Sequence, residues 1–193
     1  MLERHAHNRL DKLYNETREI KLRDDDRMVI FSDLHMGNGG KRDDFVHNGP
    51  LFKISMDRFY LPNRYDLLLY GDIEELHKFL MKTVSSNWSK VYDSFKVAED
   101  SGGFYKIQGN HDSDKWLLGA KYPVKTESKE GLKFNYKGNK IFLFHGHQAG
   151  MRGDRLESFT HYLLRYGAKP LAINNFAVSN NATRNISLKG EPT

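Results

Sequence analysis

The sequence predicts an α/β domain, and three observations carry that prediction. Short apolar runs recur at 27–33, 66–72, 104–108 and 140–144, each of a length suited to a buried strand. Between them lie stretches whose apolar residues fall three or four apart, the period of a helix with one buried face. Each run ends in glycine or in side chains able to hold a cation: Asp33 and His35, Gly71 and Asp72, Gly109 to Asp112, and His145 to His147. Open α/β sheets bind ligands at the carboxyl ends of their strands, so these four ends are expected to meet in one crevice.

Composition narrows the classes. At 193 residues the chain suits one domain with a real core, and 38% hydrophobic and 12% aromatic content exclude a disordered chain. No apolar run approaches a membrane span. The first twenty residues are rich in charge and lack the apolar segment of a secretory signal, which predicts a cytoplasmic protein. Cysteine is absent, which removes disulfides, thiolate zinc sites and cysteine nucleophiles together. Any metal must therefore use Asp, Asn, Glu or His. A net charge of +5 and a pI near 9.2 suit a phosphate-bearing ligand. Lysine and arginine are scattered, however, and an extended nucleic-acid track wants a continuous positive surface, so nucleic acid is the lesser expectation.

Taken in order, residues 2–22 place Leu2, Ala6, Leu10, Leu13, Thr17 and Ile20 on one face of a helix. The strand at 27–33 opens into a polar loop at 36–48, where His47 reads as solvated, and 51–60 is weakly helical. After the strand at 66–72 a helix is expected from Ile73, with Asp72 as its possible N-cap, Glu75 in the capping-box position and His77 on its surface. Trp88, Val91, Tyr92 and Phe95 predict a helix over 85–100, stopped by Gly102 and Gly103, with Trp88 as core. The strand at 104–108 leads to a helix with Trp116, Leu117 and Leu118. Alternating segments follow over 123–144, with turns at Gly131 and Gly138-Asn139. A further helix over 154–167, carrying His161 as a surface or packing residue, and an asparagine-rich tail follow. The expected organisation is one domain over 1–193: an N-terminal helix at 1–22, a motif-bearing core at 27–150 and a helical cap or tail at 151–193.

Asp33 and His35 are two residues apart, so in an extended backbone their side chains point the same way and can reach one ion. Alone, that spacing is commonplace. Its weight comes from the set: Asp33-x-His35, Gly71-Asp72, Gly109-Asn110-His111-Asp112 and His145-Gly146, in that order. The set resembles the calcineurin-like metallophosphoesterase superfamily, and the resemblance spans roughly residues 27–150. It implies a four-layer αββα sandwich, two mixed sheets packed face to face with helices outside, and two divalent ions at the strand ends. It further implies that Asp33 and His35 hold one ion, Asn110 and His145 the other, and that Asp72 bridges both. His111 would contact the phosphoryl or leaving-group oxygen, and Asp112 would fix its tautomer. The implied activity is hydrolysis of a phosphomonoester or phosphodiester, most simply a small molecule, by a hydroxide held between the ions. An oxygen and nitrogen donor set suits manganese, iron, zinc or nickel.

The chain departs from the family at its closing Gly-His-x-His motif, which is absent. His145-Gly146-His147 has the right spacing for that motif, but fits the earlier single-histidine slot better, leaving His147 as a site-lining residue or alternative ligand. Either the missing motif lies beyond Thr193, in which case this is an N-terminal fragment, or the site is naturally depleted. Both readings predict weak metal binding and slow hydrolysis by the 193-residue chain. The Gly-Asp-x-x-Asp-Arg-Gly segment of the Ser/Thr phosphatases is also missing; Gly71-Asp72-Ile73-Glu74-Glu75 stands in its place. The alternative from another class is a non-catalytic scaffold that keeps the fold and binds a protein partner.

Overall fold

The computed structural model describes residues 2–147, and the helix and tail expected over 154–193 lie outside them. The described chain is α/β. In order it forms α1 (Leu2–Glu16), β1 (Glu19–Lys21), β2 (Met28–Phe31), α2 (Gly49–Ser55) running into a π-helical turn (Met56–Tyr60), β3 (Asp66–Tyr70), α3 (Met81–Asn87) and α4 (Ser89–Asp100). β4 (Phe104–Ile107), a short 3₁₀ turn (Asp114–Trp116), β5 (Gly131–Tyr136) and β6 (Asn139–Phe144) follow.

Two three-stranded sheets result. One is parallel throughout, in the order β2-β3-β4; the other is mixed, in the order β1-β5-β6, with β5 and β6 antiparallel. The central strand β3 shows why its sequence is a run of leucine. Leu67 and Leu69 pack against the helices with Phe52, Met56, Val91, Phe95 and Phe104, whereas Leu68 turns the other way to meet Ile107, Leu132 and Phe134 between the sheets. A strand buried on both faces has no polar alternation to display. On the outer side of the second sheet, Lys133 donates to the Tyr14 carbonyl at 2.6 Å and lies 4.0 Å over the Tyr14 ring, which docks α1. The layers are therefore α2 to α4, the parallel sheet, the mixed sheet and α1. No helix among the described residues is long and apolar enough to cross a membrane.

Several boundaries differ from the sequence expectation. The N-terminal helix ends at Glu16, where Thr17 returns both its amide and its hydroxyl to the Leu13 carbonyl. Glu19–Lys21 then pairs with β5, so Ile20 belongs to the inter-sheet core rather than to a helical stripe. The helix expected over 85–100 is two helices hinged at Trp88, which is core as expected: its ring packs on Phe45 and its Nε1 donates to the buried Asp43 at 2.9 Å. Asp43 also accepts the amides of Gly39 and Phe45, so it organises the loop that leaves β2. Trp88→Phe removes one of three donors to that carboxylate and should cost about 1–2 kcal/mol in urea unfolding, with no change in fold by circular dichroism. Gly131 begins β5, and the turn is Lys137-Gly138, both with positive φ, the two-residue hairpin that matches strand twist.

Candidate metal centre

The site is built where β2 and β3 stop being strands but continue to pair. The amides of Asp33, His35 and Met36 donate to the carbonyls of Gly71, Asp72 and Ile73 at 3.1, 3.0 and 2.8 Å. This pairing holds Asp33, His35 and Asp72 at φ of +53°, +48° and +53°. Left-handed backbone costs an L-residue about 1–2 kcal/mol, and Asp tolerates it better than most. The convergence of Asp33 and His35 thus arises from a left-handed turn, not from the extended alternation that their spacing suggests. Their donor atoms and one from Asp72 lie within 4.8 Å of one another.

Asp72 is the junction of the other loops. Its Oδ1 accepts the His111 amide at 2.9 Å, and its Oδ2 faces His145 Nε2 at 3.7 Å. The second sheet delivers His145: the Tyr70 hydroxyl donates to the Phe144 carbonyl at 2.8 Å, which pins the end of β6 over the end of β3. The imidazole lies so close above Gly71 that a Cβ there would meet its Cγ at 2.6 Å. His145 Nδ1 is buried without a hydrogen-bond partner. His147 stands beside it, ring centroids 5.7 Å apart, and its own Nδ1 is likewise buried and unbonded. Burial, reinforced by His145, holds the His147 pKa below its ordinary value. Among the described residues neither close group of donors includes His147. Asn110 is placed at the same rim by the chain, between Gly109, which abuts Asp72, and His111; its carbonyl accepts the Trp116 indole at 3.0 Å.

A second close group, His35, Glu75 and His111, shows what the sequence reading missed. Residues 73–80 are not helical, so Asp72 caps nothing and Glu75 is not a capping-box residue. Glu75 instead turns inward, 2% exposed, with Oε1 2.9 Å from His111 Nδ1 and Oε2 3.5 Å from His35 Nδ1. Burial pushes the Glu75 carboxyl up, but the hydrogen bond to His111 and the nearby His35 ring outweigh this and hold it far below the carboxylate range. Burial presses on His35 in the opposite sense, and Glu75, Asp72 and Asp33 together leave its pKa raised. The Lys78 ammonium already sits 3.1 Å from Glu75 Oε2. A divalent ion there would face an ammonium across one carboxylate. His77, expected on a helix surface, is buried and packed at a tilt against His111 at 4.1 Å, with Trp116 edge-on at 4.6 Å.

Asp112 has a different task from the one expected. It does not meet the His111 ring; its Oδ1 accepts the amides of Gly109 and Asp72 at 2.6 and 3.2 Å, and its Oδ2 accepts the Ile73 amide and Lys106 Nζ at 3.1 and 2.8 Å. The carboxylate that meets the His111 ring is that of Glu75. Lys106 also reaches Glu74 at 2.7 Å, and Glu74 accepts the hydroxyls of Tyr92 and Tyr122 at 2.8 and 2.6 Å. Burial alone would lower Lys106 and raise Asp112; their mutual attraction reverses both, so they form the ion pair, while burial leaves Glu74 raised.

No protein-family model matches the chain, and no curated protein matches it.

Proposed function

We propose that the chain is a metal-dependent hydrolase of phosphate esters of the calcineurin-like metallophosphoesterase type. The observation that carries the reading is the gathering of Asp33, His35 and Asp72 donor atoms within 4.8 Å, with His145 facing Asp72 from the second sheet. The donor set is carboxylate and imidazole, chemistry that fits manganese, iron, zinc or nickel, and the His145 Nε2 that faces Asp72 stands 3.7 Å from it, too long for a direct hydrogen bond. Asp33 and His35 would hold one ion, Asn110 and His145 the other, and Asp72 both. When bound, the ions supply positive charge that ionises water near neutral pH and offsets charge on the phosphoryl oxygens.

The protein's own residues account for the rest. Glu75 is ionised and can only accept, so His111 Nδ1 carries the proton between them, and Nε2 becomes the atom that exchanges a proton with a substrate oxygen. His77 packs against that ring, tilted by 37° at 4.1 Å between centroids. The small phosphate ester remains the favoured substrate class, with mono- and diesters both to be tried. The chain, stripped with EDTA and reloaded with manganese, is assayed on p-nitrophenyl phosphate and bis(p-nitrophenyl) phosphate. Turnover should depend on the added metal and fall roughly 10²–10⁴-fold in His111→Ala, the span typical of a lost proton-transfer group. Turnover indifferent to both metal and His111 would dispose of the proposal.

A further inference from the structure

Lysine in a strand of an otherwise apolar parallel sheet is unusual, and Lys106 is only 3% exposed. Its two partners are not scattered: Glu74 belongs to the segment that carries Asp72, and Asp112 to the segment that carries Asn110 and His111. Asp112 spends its remaining acceptor capacity on the amides of Gly109, Asp72 and Ile73, and Asp72 is held in left-handed backbone at that point. We propose that Lys106 is a positioning residue of the metal centre, holding Asp112 against the Asp72 and Ile73 amides and so fixing the carboxylate that both ions would share. The inference rests on the two-metal reading above. It assigns the buried cation a role in setting where Asp72 stands, beyond joining two strands.

The test is a manganese titration of the full chain followed by electron paramagnetic resonance, in which a coupled pair of ions is distinguished from single ones. Wild type should take up two ions, weakly as the missing closing histidines imply, and show the coupled signal once saturated. Lys106→Gln keeps a donor but no charge; it should weaken the second ion about 10–100-fold, with kcat reduced by a similar factor and KM unchanged, the range seen when a partner of a ligand is lost. Tyr122→Phe is the control, because it removes a bond to Glu74 and none to Asp112. It should lower the melting temperature and leave the titration unchanged. If Lys106→Gln does not fold, the double variant with Glu74→Gln, which removes an anion with the cation, is read in the same way. A wild-type titration in the Lys106 variant overturns the inference, as does an equal weakening in Tyr122→Phe, since stability alone would then explain both. Wild type that binds no manganese sinks the metal centre itself, a result separable from either.

Discussion

Asp72→Asn should abolish metal-dependent hydrolysis, by a factor on the order of 10³ or more, while leaving the fold intact. The separation of these two effects follows from the geometry. Asn is one of the few residues that accepts left-handed backbone, so φ of +53° is not a new strain. Its carbonyl can still accept the His111 amide, and the bond from the Asp72 amide to Asp112 is untouched. What disappears is the negative charge between the Asp33–His35 pair and His145. Removing a mere outer partner of a ligand typically costs about 10–100-fold in metal affinity, and a ligand shared by two ions should cost more. Metal content by elemental analysis should therefore fall with activity, and the urea midpoint should stay near wild type. Retained turnover with full metal content would mean that Asp72 is not the shared ligand.

How far the sequence led is best judged at particular residues. The strand ends were legible because each announces itself locally: an apolar run, a glycine and a donor within a few positions. Asp33, His35, Asp72, His111 and His145 are gathered as that pattern implied. Glu75 was not legible, because an acid three residues after an Asp is also the mark of a capped helix. What decides between the two is the imidazole of His111, which is 36 residues away in the chain. His77 follows the same pattern: on a helix begun at Ile73 it would face solvent, but that helix does not form and the side chain is buried. Lys106 offers the one usable signal, a basic residue inside an apolar strand, whose burial demands an acid nearby. Its two partner acids lie in the motifs. The three-residue strand β1 and the role of Asp112 depend on pairing and packing between distant segments, about which local pattern is silent.

Gly109→Ala should destabilise the protein by roughly 3 kcal/mol or more and disable the site with it. Gly109 needs no special backbone; it needs emptiness. A Cβ there would drive into the Asp72 carboxylate and amide, with Asp72 Cγ at 2.8 Å. The amide belongs to the rigid backbone between β3 and the Asp112 carboxylate, so no side-chain rotation relieves the contact. Relief requires the loop of Gly109 to Asp112 to withdraw from Asp72, which breaks the bonds from Gly109 and Asp72 to Asp112 and from His111 to Asp72. Stability and metal binding should fail together here, unlike in Asp72→Asn. Gly138→Ala supplies the contrast. Its φ is +86°, but nothing lies within 4 Å of the added methyl. The strain of about 1–2 kcal/mol is partly offset by the lower entropy of the unfolded chain, leaving a net loss of about 1 kcal/mol or less and no effect on metal. Urea unfolding of both variants, read beside a manganese titration, separates a glycine kept for space at the site from one kept for a turn. Equal, small losses in the two would show that the loops around Asp72 are not packed as tightly as their hydrogen bonds require.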